Sequence, residues 1–186
     1  MNAAASLMYE QGVHATSVDD VLAASGTGKS QLYHYFSSKE DLVVAVLDRQ
    51  LEHVLRQQDP HALESWKGLR DWFDELVRGQ EQRGWLGCPL GSLAAQVIDQ
   101  DGQLRTHAAE VFERWEASLA AAFQTMRDRG TLRSEADPEA LAETVMASIQ
   151  GGYLLSSAKR HARPLANSLS SALDLLQAHA PPPVDS

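Results

Sequence analysis

A chain of 186 residues, 44% of them apolar and 22% charged, is long enough for one domain or two small ones and too apolar for wholesale disorder. Its net charge of −9 argues against a protein that coats nucleic acid through general basicity, and its one cysteine excludes a disulfide framework. No apolar run reaches the ~20 residues of a bilayer span, and the opening MNAAASLMYEQG has no secretory pattern, so a soluble, cytoplasmic protein without a membrane partner is expected.

The punctuation is helical throughout. Leu7 and Met8 lie in an Ala-rich segment stopped by Gly12. Ser17-Val18-Asp19-Asp20 reads as a capping box, in which the Ser17 oxygen takes the Asp20 amide and Asp20 reaches back. Val18, Val21 and Leu22 give that short second helix an apolar face before Gly26 closes it, and a third starts near Gly28 with Leu32, Tyr33, Tyr35 and Phe36. Ser38-Lys39-Glu40-Asp41 is a second capping box, opening a long helix through Leu42, Val43, Val46, Leu47, Leu51 and Val54.

Asp59-Pro60 marks a break and a hinge between domains. A helix carrying Trp66, Leu69, Phe73, Leu76 and Val77 ends near Gly84, and GWLGCPLGS is turn-rich. A shorter helix to about Ile98 and a loop over Asp99–Gly102 follow. Leu104 to Met126 trace a long helix that Arg127, Arg129 and Gly130 terminate. Asp137-Pro138-Glu139 starts the next, running to about Arg160, and Pro164 opens the last, with Leu165, Leu169, Leu173 and Leu176 on one stripe. The reading is all-α with about nine helices, divided into a helix-turn-helix domain over 1–47, a ligand-binding and dimerisation domain over 48–180 and a disordered tail over 181–186.

Two short helices joined by a glycine turn and braced on both sides are the parts of a helix-turn-helix. Residues 1–50 carry only Lys29, Lys39 and Arg49 against six acidic side chains, so DNA affinity has to come from local geometry. At the start of the third helix Lys29 can reach guanine acceptors or phosphate and Gln31 can pair with adenine; Thr27 and Ser30 can meet either, and Gly28 stands among them as a weaker N-cap. Tyr33, His34 and Tyr35 suit phosphate contacts, Tyr33 and Tyr35 also suiting packing. Ser17 and Lys39 stand at capped helix starts, where amides and a cation meet phosphate.

Gly12, Ala15-Thr16-Ser17-Val18, Gly26, Leu32-Tyr33-His34-Tyr35-Phe36 and Ser38-Lys39-Glu40-Asp41-Leu42 together resemble the DNA-binding domain of TetR-family transcriptional regulators. The resemblance implies a homodimeric, ligand-released repressor on a palindromic DNA operator, with a helical ligand-binding C-terminal domain and no enzymatic activity. Gly87-Cys88-Pro89-Leu90-Gly91-Ser92-Leu93 looks like a segment of the LmrA/YxaF-like branch, whose members often control efflux genes. The pattern departs from the family's at Gly28, where serine is frequent, at Asp19, where an acid would repel phosphate, and before Met1, where a basic extension is common.

Two other readings compete. Gly26-Thr27-Gly28-Lys29-Ser30 ends like a phosphate-binding loop of a small nucleotide phosphotransferase, but Ala23 stands where the first glycine belongs and a helix, not a strand, precedes it. A helical scaffold without a DNA role is the other. The histidines form no metal spacing, so no metal or cofactor is expected. Trp66, Phe73, Cys88, Phe112, Trp115, Met146, Gln150 and Tyr153 are candidate lining for a small apolar or aromatic effector, each also explicable as core. Ser148, Gly152 and Ser156 form a small-residue strip that, with the last leucine stripe, is expected to pair two subunits.

Overall fold

The computed structural model describes residues 1–99 and 102–182, and among them ten α-helices and no strand. They are α1 Asn2–Gln11, α2 Val18–Ser25, α3 Lys29–Tyr35, α4 Lys39–Gln57, α5 Pro60–Leu63, α6 Trp66–Gln82, α7 Pro89–Ala94, α8 Gln103–Asp128, α9 Pro138–Lys159 and α10 Arg163–Ala178. The tenth is α5, a single turn where the sequence suggested only a break: the Asp59 carboxylate accepts the His61 amide at 3.0 Å and Pro60 occupies the first turn. The helix expected to reach Ile98 stops at Ala94, because Gln96 and Val97 donate to Leu93 and Ala94 in tight three-residue turns. Gln100 and Asp101 of the expected loop, and 183–186 of the expected tail, lie outside the described residues.

The chain divides into two compact units. One comprises Met1–Arg56 and Pro89–Glu113, the other Gln57–Cys88 and Arg114 onward. The first is built on Ala4, Met8, Val13, Val21, Leu32, Leu42, Val46, Leu47 and Leu51, joined by Leu90, Leu93, Val97 and Val111. This compact unit thus combines the N-terminal segment with a later one, and a polar latch ties them. The Gln96 side chain takes the Val13 amide at 2.7 Å, gives its own amide to Ser92 O at 2.9 Å, and its backbone oxygen lies 3.0 Å from His14 Nε2. Farther along, His107 stands between Asp48 at 3.2 Å and Glu110 at 3.1 Å.

The second unit packs α9 on α10 and α10 on α6 around Leu69, Phe73, Trp115, Leu119, Phe123, Met126, Ile149, Leu165, Leu169 and Leu176. Two buried amides satisfy its polar interior. Gln58 accepts Trp115 Nε1–H at 2.8 Å and donates to Ser118 Oγ at 3.1 Å. Gln80 donates to Ser157 Oγ at 3.0 Å and accepts the Gly87 amide at 3.2 Å.

The small-residue strip expected to pair subunits instead makes a contact within the chain. A Cβ on Gly152 would stand 2.8 Å from Leu165 Cδ1 and 3.0 Å from Leu165 Cα. Ser156 Oγ accepts the Leu165 amide at 2.9 Å, and Ser168 Oγ donates to Ser148 O at 2.8 Å. The small strip thus seats α10 against α9, and Leu165, Leu169 and Leu176 are core. The outward face of α9 lies one residue earlier: Ala147, Gly151, Leu154, Leu155 and Ala158 are exposed, Leu154 to 70%.

Candidate nucleic-acid interface and regulatory core

The helix-turn-helix is assembled by local chemistry. Thr16, fully buried, anchors the α1–α2 turn by donating its hydroxyl to Gly12 O at 2.8 Å. The capping box at α2 is complete, with Asp20 N to Ser17 Oγ at 3.1 Å and Ser17 N to Asp20 Oδ2 at 2.8 Å. Those Ser17 hydrogen bonds hold the Asp20 carboxyl below its ordinary pKa. Gly26, in the left-handed region at φ 67°, turns the chain from α2 towards α3. Ser38 and Asp41 cap α4 in the same reciprocal way, with Asp41 N to Ser38 Oγ at 3.0 Å and Ser38 N to Asp41 Oδ2 at 3.1 Å.

Only Leu32 of α3 is buried, so the helix turns the rest of its surface outward. Gly28, Ser30, Gln31, Tyr33, His34 and Tyr35 line one open cleft of about 690 Å³, and Lys29 is exposed beside them on the first turn. Tyr35 is 70% and Tyr33 47% exposed, which removes the packing alternative for both, and the His34 and Tyr35 rings meet edge to face. Thr27 lies on a second cleft, with Met1, Asn2, Ala3, Ala24 and Ser25. Ser17 is exposed but its hydroxyl is committed to the cap, donating to Asp20 Oδ2 at 2.6 Å. Lys39 reaches His14 O at 3.4 Å. The surface therefore offers hydroxyls, an amide, a cation and an edge of aromatic rings, a set suited to base edges and phosphates. No group of three or more His, Cys, Asp or Glu able to hold a metal occurs among the described residues.

Of the candidate effector residues, Cys88, Met146 and Gln150 come together: Gln150 Nε2 lies 3.8 Å from Cys88 Sγ and 3.5 Å from Met146 Sδ. Tyr153, one turn on, donates to Leu76 O at 3.3 Å. Trp115 is buried and its indole N–H is bound to Gln58, as a core residue requires. Phe73 is buried against Trp72, ring centroids 5.2 Å apart, and Trp66 is half-buried at the first turn of α6. Phe112 belongs to the other compact unit. Sequence reasoning missed Arg83, which donates to the Tyr153 hydroxyl at 3.2 Å, and the Gln96 latch; nothing local to either residue marks them.

Residues 1–46 match the family described as bacterial regulatory proteins, tetR family, and residues 66–172 match the tetracyclin repressor-like C-terminal domain. The chain is 29% identical to an HTH-type transcriptional regulator in the lacX 3′ region of Lactococcus lactis, over 95% of this chain and 89% of that one. It is 28% identical to the HTH-type transcriptional regulator LmrA of Bacillus subtilis, over 95% and 94%. The crystal structure of the regulatory protein TetR from Rhodobacter sphaeroides shares the fold, with a TM-score of 0.77 at 24% identity over 93% of this chain and 94% of that one.

Proposed function

The chain belongs to the TetR family and is a DNA-binding transcriptional repressor of that type; on that premise we propose that two copies grip a palindromic operator and release it when a small, largely apolar effector binds. Members of the family are regulators rather than enzymes. The observation that carries the reading is the exposed surface of α3, where Lys29, Ser30, Gln31, Tyr33, His34 and Tyr35 are held outward by a helix that buries only Leu32. Gln31 reads base edges, and Lys29 and Thr27 meet base edges or phosphate; Tyr33, His34, Tyr35 and Lys39 contact phosphates, and the exposed backbone at Gly28 admits close approach. Ser17 serves by presenting the capped end of α2 to phosphate rather than through its hydroxyl.

Release is a population shift: the effector favours dimers whose two recognition helices no longer match the half-site spacing. Cys88, Met146, Gln150 and Tyr153 form the effector-binding strip, while Trp66, Phe73, Phe112 and Trp115 are assigned to packing. Two-fold pairing is assigned to the outward face of α9, where Gly151 has open space around it and Leu154 and Leu155 stand exposed. Among the described residues no helix is long and apolar enough to cross a membrane, and the protein acts in the cytoplasm, where its operator is.

Selection from a random DNA pool tests the reading. An enriched palindrome is expected, with Lys29→Ala weakening its binding at least about tenfold, from the loss of ~1–3 kcal/mol per half-site. Saturable binding of ATP with magnesium that Lys29→Ala abolishes, with no enriched sequence, would instead support a phosphotransferase.

The charge count sets the salt dependence. With Lys29 and Lys39 as the cationic phosphate contacts of each subunit, a dimer releases about four counterions, so log K should fall with log salt at a slope of roughly −3 to −4. A filter-binding or fluorescence titration at several salt concentrations measures it, and a slope steeper than about −7 would mean that basic groups elsewhere engage DNA.

A further inference from the structure

The half-buried Arg83 side chain is a cation without a counter-ion among the described residues. It closes the C-terminal end of α6, and its Nη2 donates to the Tyr153 hydroxyl at 3.2 Å. Its Nε is wholly buried and has no acceptor among the described residues. Among the described residues the guanidinium pairs with no carboxylate, although Asp and Glu outnumber Lys and Arg by 25 to 16 in the sequence. An exposed arginine in that position would be hydrated, but a buried guanidinium N–H with no acceptor is a rare and unfavourable arrangement.

The chain also makes room for it. Gly79 is buried inside α6, where glycine is unfavourable relative to alanine. A Cβ there would stand 2.6 Å from Arg83 Nη1 and 3.2 Å from Cζ, so the missing side chain is the seat of the guanidinium. A second donor faces the same strip. Met146, Gln150, Tyr153 and Ser157 recur at helical spacing along one face of α9, opposite Arg83, Gln80 and Cys88. Among the described residues the Gln150 amide N–H there meets only two sulfurs, both weak acceptors.

We propose that the effector carries a carboxylate, bound by Arg83 with the Gln150 amide beside it, and an apolar body laid against Met146 and Cys88. Guanidinium and carboxylate match in charge and in geometry, and the pairing supplies the missing acceptor at Nε. This deepens the effector reading given above and rests on it.

Matched probes test it: benzoate against benzamide, 2-naphthoate against 2-naphthamide, and octanoate against octanamide, followed by tryptophan fluorescence and by operator affinity. The acids are expected to bind at least about tenfold more tightly than their amides and to weaken operator binding, and Arg83→Met should erase the preference while Arg83→Lys keeps part of it. Without any probe, Arg83→Met should melt at or above the wild-type temperature, since it removes an uncompensated charge. Amides that bind as well as acids, or acids indifferent to Arg83→Met, would overturn the carboxylate assignment and leave the effector strip standing. A lower melting temperature in Arg83→Met would make Arg83 a structural brace of α6 and overturn it too. Binding by neither set, with operator affinity unchanged, would remove the effector strip and the carboxylate together.

Discussion

Replacing Trp115 by alanine should lower the melting temperature by roughly 10 °C or more and reduce the folded population rather than disable a ligand site. Trp115 is 1% exposed, so truncation opens a cavity within the core of the second unit. Removing a buried tryptophan destabilises by about 3–5 kcal/mol. It also deprives Gln58 Oε1 of the indole N–H that it accepts at 2.8 Å, leaving a buried acceptor unmatched at about 1–3 kcal/mol. Against a total stability of about 5–15 kcal/mol that is a large share, and each kcal/mol shifts the melting point by ~2–4 °C in a chain of this size. Trp115→Phe should fall between the two, keeping most of the volume and losing the donor. Thermal unfolding followed by circular dichroism decides it. A Trp115→Ala protein that melts within about 2 °C of wild type yet has lost its effector response would return Trp115 to the effector strip.

Leu154→Glu should convert the dimer to monomer and remove operator binding almost entirely. Leu154 is 70% exposed and Leu155 49% exposed in the single chain, on a face of α9 whose other members are Ala147, Gly151 and Ala158. Covering a leucine contributes about 1.5–3 kcal/mol, and two-fold symmetry counts each substitution twice. Two carboxylates brought together near the axis add repulsion, so the dimer dissociation constant should rise by about a thousandfold or more. Sedimentation at micromolar concentration measures this, and the melting temperature of the monomer reports that the fold survives. Gly152→Leu should behave differently, because its side chain would collide with Leu165 inside the same chain: it should lower the melting temperature before it touches assembly. If Leu154→Glu remains dimeric, another face joins the subunits.

How much of this was legible in the sequence follows from the range of each signal. The helix ends were readable because their causes sit within three or four residues: Ser17 with Asp20, Ser38 with Asp41, Asp137 before Pro138, and glycines such as Gly12 and Gly26 at the stops. The exposed surface of α3, proposed to meet DNA, was readable for the same reason, since one short helix presents most of it. The register of α9 was not. Ala147, Gly151, Leu154, Leu155 and Ala158 form one small-and-apolar stripe and Ser148, Gly152 and Ser156 another, and the two differ by a single residue in phase. Which stripe meets α10 is decided by Leu165 and Ser168, on another helix. Arg83 with Tyr153, and Gln96 with Val13, are separated by 70 and 83 residues, beyond the reach of any spacing rule. The Trp115–Gln58 hydrogen bond was illegible for a related reason: Gln58 lies 57 residues upstream of Trp115, and a lone glutamine beside Asp59-Pro60 looks like loop.

The Gln96 latch has a bearing on how such regulators can be recombined. The unit that presents α3 also contains Pro89–Glu113: Val13's amide is satisfied by a side chain 83 residues away, and Leu90, Leu93 and Val97 join its core. The reading head is therefore not a cassette. A chimera that joins residues 1–56 to a foreign regulatory half inherits whatever that half places opposite Val13 and Gly12. Wherever it supplies no glutamine there, the graft leaves a buried donor open and the α1–α2 turn untethered. Transplanting this repressor's operator preference onto another sensor calls for two pieces of chain, the second taken from the middle of the molecule.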